Sequence, residues 1–503
     1  MRLSFGSRRV VSLLAVSTTL VLCGAGLANA SQPGHQTPDG SAAFATSARQ
    51  VRAAGEFMSG NYVVLLKQAP AATYAGGVSG IPSTARNGSF DAGASDVQAY
   101  RGYLTRRQDS LARQYSVSVQ QRYTVVSNGF SAHLSAAQAR TLAKDPRVLT
   151  VARDRIVHAA SVPKVGPHAT SEFLGLTHHG HPVHGWNPKT AGQGVVVGVI
   201  DSGIWPENAA FAGKRLRHRQ HVTHAHPGPI FVGHSHHTAF RKGDGHTFRG
   251  TCQPGQRFKA GTCNSKLISA RYFDSGFLQT TPRNQWSPAE FKSARDGVGH
   301  GSHTSSTAAG DYGVKARLFH QAVGRITGIA PAAKIATYKA LWATAADPTE
   351  ASGATSDIIA AIDRAVQDGV DVINYSVGPQ GGDSDIIDPV AVAFLNAAAA
   401  GVFVAAAGGN DGPTAATASN VSPWVTTAAA STWQNPDGTV VLGNGKKVLG
   451  VSHTADGTSA RLVYARTTRD PLAASTGAEP YGRFAIVRLA IGLTTRSGPV
   501  PTA

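Results

Sequence analysis

Cysteine is scarce in this chain. Of its three cysteines, Cys23 falls within the N-terminal apolar run and leaves only Cys252 and Cys263 for the remainder. An even pair is too few for a disulfide-framed miniprotein or a four-cysteine zinc site, and in an exported chain it reads as one disulfide closing a short loop. Such a ring contributes roughly 3 kcal/mol in the chain-entropy model, enough to order a loop but not to hold up a fold. Acidic residues are also few, 29 against 47 basic, for a net charge of +18. The basic residues are spread along the chain with no dense block, which argues for a solvated surface and against a nucleic-acid partner. No apolar run beyond the N-terminus is long enough to span a membrane. No acidic loop calls for calcium, and no cofactor or metal is expected.

At this length the chain can hold two or three domains with sizeable cores. Arg2, Arg8 and Arg9, the apolar run Val10 to Leu27, and Ala28-Asn29-Ala30 read as an export signal cut before Ser31, so the product is expected outside the cell. A leader follows over 31–59, rich in Ser, Ala and Gly. Tyr62 to Lys67 predicts a strand, Val97 to Tyr115 an exposed amphipathic helix, and Gln121 to Leu134 a hairpin around Ser127-Asn128-Gly129. Ser135 caps a helix through Ala143, and Val148 to Val157 gives a last strand. Strand, helix, two strands, helix, strand is the order of a ferredoxin-like α+β sandwich.

Further on, within Gly194 to Ile204, a continuous apolar run stops at Asp201. It has the pattern of a parallel strand buried on both faces, with its carboxylate at the edge where open α/β sheets place ligands. Asp296-Gly297-Val298-Gly299-His300-Gly301-Ser302-His303 then sets a histidine between glycines at the start of a helix, where imidazole suits general-base work near neutral pH. Lys334 to Leu341, Val370 to Ser376, Val402 to Ala407 and Val425 to Ala430 predict strands. The helices between them are one capped by Ser356 and ended by Gly369, and one over Pro389 to Ala400, giving a doubly wound parallel sheet. The stretch 214–249 has eight histidines between His218 and His246 and no period. Three accounts fit it: a metal-binding cluster, although its spacings match no zinc motif; a disordered loop; or a slip of reading frame.

Asp201, His300 and the segment Ala405-Ala406-Ala407-Gly408-Gly409-Asn410-Asp411-Gly412-Pro413 come in the order found in subtilisin-like serine proteases, the subtilases. The resemblance runs from the propeptide region, where the segments Tyr62 to Lys67 and Asn128 to Leu134 are similar to subtilase propeptides, to about Ala430, and Gly250 to Phe273 resembles the large cucumisin-like type. It implies that Asp201 and His300 are catalytic, Asp201 orienting the imidazole. It also implies that Asn410 donates to the oxyanion and that Ser376-Val377-Gly378 pairs with substrate backbone. The partners it implies are a protein or peptide substrate and the chain's own propeptide as intramolecular inhibitor, in a monomer. His133 stands where protonation could trigger propeptide release, beside the plainer reading of a surface histidine.

The chain departs from the pattern where the nucleophile belongs. Subtilases carry it in Gly-Thr-Ser-Met-Ala, and these 503 residues contain none. Asp456-Gly457-Thr458-Ser459-Ala460 comes nearest, but Arg461 stands in the methionine's place. Leu442 to Ala465 resembles instead the start of an inserted protease-associated domain. The expected layout is signal 1–30, leader 31–59, propeptide 60–159, incomplete catalytic domain 160–432, start of the insert 433–465 and aberrant tail 466–503. A chain broken before its serine would be inactive. The alternative it leaves is a non-enzymatic binder whose propeptide inhibits or chaperones a sibling protease.

Overall fold

A computed structural model describes residues 57–85, 90–159, 174–178, 181–183, 185–221, 228–318, 321–378, 388–412, 414–430, 437–441 and 445–451. The signal and nearly all of the leader, Ser459 and the tail lie outside them. The described part of the expected insert is one antiparallel pair, Asp437–Val441 with Lys447–Val451.

The first sheet is built from β1 (Gly60–Leu66), β2 (Val119–Tyr123), β3 (Gly129–Leu134) and β4 (Val148–Arg153). Its order is β2-β3-β1-β4 and every pairing is antiparallel. Helices α1 (Ser95–Gln114) and α2 (Ala136–Lys144) complete the ferredoxin-like order. Ser135 caps α2 as expected, in a capping box with Gln138. The apolar run of β1 is divided by the two-residue period of a strand. Tyr62, Val64 and Leu66 pack with Leu111 of α1 and Leu142 of α2, whereas Val63 and Leu65 face the other half of the molecule. His133 is exposed on β3, its Nδ1 3.0 Å from Asn61 Oδ1, with both residues inside this sheet.

The second sheet has six strands, all parallel: β6 (Val196–Asp201), β7 (Leu267–Tyr272), β8 (Lys334–Lys339), β10 (Val372–Tyr375), β12 (Phe403–Ala407) and β13 (Thr426–Ala428), in the order β7-β8-β6-β10-β12-β13. In β6, Val196 and Ile200 face a core built with α4 (Thr355–Asp368) and α5 (Pro389–Ala399). Val197 and Val199 face a second core that includes Ala309, the last residue of α3 (His300–Ala309). Helices on both faces explain why β6 is apolar at every position rather than at alternate ones.

Two expectations fail where the halves meet. The strand expected over Val148 to Val157 breaks at Asp154, and its continuation β5 (Ile156–Ala159) joins another sheet, between β9 (Ser352–Ala354) and β11 (Val377–Gly378). Ser356 does not cap α4: the helix begins at Thr355, and Asp154 instead accepts the Ser356 N–H at 2.9 Å and its hydroxyl. The capping acceptor comes from a residue 202 positions away, which no local reading can supply.

Two more carboxylates of α4 serve the same junction. Asp363 accepts the N–H groups of Val125 and Val126 at 2.9 and 2.8 Å. Asp357 accepts Gln121 Nε2 at 2.6 Å and the N–H groups of Gly276 and Phe277 at 3.0 and 2.8 Å. Burial pushes the Asp357 carboxyl up to about 6 against these bonds. A raised carboxyl means that the folded chain holds the proton more tightly, so this contribution to stability is present below about pH 4 and is lost as pH rises through about 6. Thermal unfolding scanned from pH 4 to 7 should show that fall, and Asp357→Asn should flatten it. An unchanged pH profile in the variant would assign the slope to other groups.

The histidine-rich stretch forms strands where it is described, against the expectation of a disordered loop. His218–Arg219, Ile230–Val232, His237–Arg241 and Thr247–Thr251 form one four-stranded sheet, while His224 and His226 lie outside the described residues. Thr238, Ala239 and Phe240 are all buried in succession, so the two-residue alternation that would have announced a strand is missing. Among the described residues no cluster of three His, Cys, Asp or Glu side chains could hold a metal ion. Cys252 and Cys263 are joined, with Cα atoms 5.9 Å apart.

Candidate active site

Asp201 is the last residue of β6, so the parallel sheet delivers its carboxylate to the carboxyl-end edge. The side chain is fully buried. It accepts the Ser202 N–H at 2.6 Å and the Thr304 hydroxyl at 3.0 Å, and His300 Nδ1 lies 2.7 Å from its Oδ1. An ionised carboxylate can only accept, so the imidazole proton sits on Nδ1 and Nε2 keeps its lone pair. This arrangement can take a proton at Nε2 and stabilise the imidazolium that results.

The glycines around His300 have separate physical reasons. Gly299 precedes the helix with φ +98°, a left-handed conformation that suits glycine. A Cβ on Gly301 would stand 2.3 Å from the Gly203 carbonyl oxygen and 3.2 Å from the Asp201 Cβ. Only a residue without a side chain lets the start of α3 approach the end of β6 this closely.

Asp296 organises the turn and is a residue that sequence reasoning passed over. Its Oδ1 accepts the N–H groups of Val298 and Gly299 at 3.0 and 2.7 Å and the Ser202 hydroxyl at 3.0 Å. Its Oδ2 accepts the Ser302 N–H at 2.8 Å and the Ser302 hydroxyl at 2.6 Å. The readable signal was a carboxylate directly before Gly-x-Gly, where a short acceptor can collect turn amides. Asp296→Ala would strand these donors near His300, and we expect a loss of about 2 to 3 kcal/mol in denaturant unfolding. A loss below about 0.5 kcal/mol, within the range of ordinary surface changes, would show that water replaces the carboxylate.

The other expected site residues fall on two adjoining features. Ser376 and Asn410 line one cavity of about 300 Å³ with His303, Thr304, Asn374 and Gly409. Val377 and Gly378 form β11 and pair with Ala159 and His158 of β5. Burial, and then the neighbouring His300, hold the His303 imidazole below its usual proton affinity, so it is a neutral wall of this cavity at neutral pH. His303 and Thr304 were legible only as part of the helix start; their place in the cavity follows from α3 packing against the sheet.

Residues 192–478 match the subtilase family, and residues 61–160 match the peptidase inhibitor I9 family. The chain is similar to the Arabidopsis thaliana subtilisin-like protease SBT2.6, 34% identical over 430 residues that make up 83% of this chain and 48% of the relative. It is also similar to SBT1.6 of the same plant, 37% identical over 66% of this chain and 38% of the relative. Among solved structures, fervidolysin from Fervidobacterium pennivorans aligns over 81% of this chain and 47% of its own at 15% identity, with a TM-score of 0.37. The chain therefore spans about half or less of the length of these relatives.

Proposed function

Because the chain belongs to the subtilase family, we propose that the complete protein is a secreted serine endopeptidase made as a zymogen. It hydrolyses peptide bonds by acyl transfer, with His300 as general base, Asp201 as its orienting carboxylate and Asn410 as an oxyanion donor. The backbone of Ser376-Val377-Gly378 holds the substrate, and residues 60–159 are the intramolecular inhibitor. The observation that carries this reading is β5, an extended segment paired antiparallel to Val377 and Gly378 in the manner of a peptide added to a sheet edge. The neighbouring Asp201–His300 pair at 2.7 Å supplies the chemistry.

Export is supported by the charged start, the apolar run and the Ala28-Asn29-Ala30 site, and by a disulfide suited to an oxidising compartment. The nucleophile is the serine of a Gly-Thr-Ser-Met-Ala segment, which these 503 residues lack, so they turn over little by themselves. The test is expression of the complete gene: the secreted product should cleave a protein substrate and take a covalent label from a fluorophosphonate. A complete product that does neither would remove the protease reading.

A second reading is favoured by the separate core of the first sheet. A domain with its own core can serve as an inhibitor in trans, and residues 60–159 added to a related subtilase would then slow it. No slowing would leave the intramolecular role.

A further inference from the structure

The cleft edge β11 and the turn after β12, which carries Asn410, are separate segments held by a third. Asn420 donates from Nδ2 to the Val377 carbonyl at 2.7 Å and to the Ala407 carbonyl at 2.9 Å. Ala407 is the last residue of β12, three positions before Asn410. In an antiparallel ladder the N–H and C=O of one residue point to the same neighbour, and successive residues alternate. With its carbonyl turned to Asn420, Val377 faces away from β5, which leaves Ser376 and Gly378 as the residues directed at whatever lies in the cleft.

The preceding residue touches the same two arms. Ser419 donates its N–H to the Gly408 carbonyl at 2.9 Å. Its hydroxyl is fully buried and, among the described residues, without a hydrogen-bond partner. That oxygen would lie 3.1 Å from a Cβ on Gly378 and 2.9 Å from one on Gly409, so it is wedged between the cleft edge and the turn. Asn420 itself adopts φ +53°, a left-handed conformation that costs energy in most residues but least in asparagine and aspartate. A strained residue with both amide hydrogens committed to two different strand ends does more than close a loop.

We propose that Ser419-Asn420 is a positioning clamp for the reaction, setting the spacing between the backbone that holds the peptide and the turn that presents Asn410. The proposal rests on the reading of β11 as the substrate edge. Only the side-chain amide supplies two donors at this place, and alanine would leave two carbonyls unmet.

The test is amide hydrogen exchange, read by mass spectrometry on the full 503-residue chain, which needs no catalysis. Asn420→Ala should speed exchange in β5, β11 and residues 407–410 about tenfold, with β1 to β4 within about twofold of the parent. Asn420→Asp should resemble Asn420→Ala at neutral pH, because a carboxylate repels both carbonyls. Compared with the parent at each pH, it should regain protection as pH falls through about 4, where the protonated carboxyl offers one donor. Faster exchange throughout the chain, or no recovery of Asn420→Asp in acid, would mean a merely structural residue and overturn the clamp. The protease reading is tested apart from it, by hydrolysis with the complete protein: localised exchange without hydrolysis would leave the clamp standing as a peptide-binding device.

Discussion

Asp201→Asn in the complete protein should lower kcat about a thousandfold while leaving the orientation of His300 intact. The reasoning turns on which way the new amide faces. Ser202 N–H points at Oδ1, the same oxygen that meets His300 Nδ1, so an NH₂ group there would oppose a donor that cannot move. Thr304 points its hydroxyl at Oδ2 but also lies 3.2 Å from the Gly301 carbonyl. It can direct its hydrogen to that carbonyl and accept from the amide instead. The carbonyl of the substituted side chain therefore faces His300, and the imidazole keeps its proton on Nδ1. What is lost is the charge beside the imidazolium, worth about 4 kcal/mol at an effective dielectric constant of about 20, or about a thousandfold. Loss of the correct tautomer would cost about ten thousandfold. Steady-state kinetics separate the two, and a fall of less than about tenfold would remove Asp201 from the mechanism.

Lys339→Met should destabilise the chain by about 3 to 5 kcal/mol, because it leaves a buried carboxylate without its counter-charge. Lys339 and Glu290 are paired with both side chains fully buried. Lys339 also donates to the Arg295 carbonyl at 2.7 Å, and Glu290 accepts the N–H groups of Phe291 and Ala343 at 3.0 and 2.9 Å. Burial holds the Lys339 ammonium below its usual proton affinity, and the Glu290 carboxylate offsets part of that effect. Adding Glu290→Gln to the variant should recover about half of the loss: the buried charge is removed, but the amide oxygen accepts only one of the two backbone N–H groups and its NH₂ faces the other. Chemical denaturation of both variants checks this; a double variant less stable than Lys339→Met would show that the charge was not the cause. The pair lies under the site: Lys339 is in register with Asp201 on the adjacent strand, and Arg295 precedes Asp296.

Much of this architecture was legible because its signals are local. The apolar run ending at Asp201 implies a strand buried on both faces, and β6 has that environment. Gly369 ends α4 with φ +89°, and Ser135 begins α2, each through chemistry confined to a few residues. What failed was of the opposite kind. Asp154 breaks a strand and caps a helix far along the chain, and its own neighbourhood contains neither partner. The strands from His237 to Thr251 hid because burial on successive residues erased their alternation.

Reading the residues alone was enough for the element order of the first sheet and for five of the six strands of the second, all but Leu267–Tyr272, and for an aspartate at a strand end and a glycine-flanked histidine at a helix start. These depend on periodicity, caps and the steric freedom of glycine, all short-range properties. It took the folded chain to show that Asp201 and His300 meet at 2.7 Å, that β5 pairs with β9 and β11 rather than with the first sheet, and that Asp296, Lys339 and Asn420 bridge separate segments by hydrogen bonds. Those are hydrogen bonds and buried charges between segments tens to hundreds of residues apart, and their partners are chosen by packing once the sheets have formed.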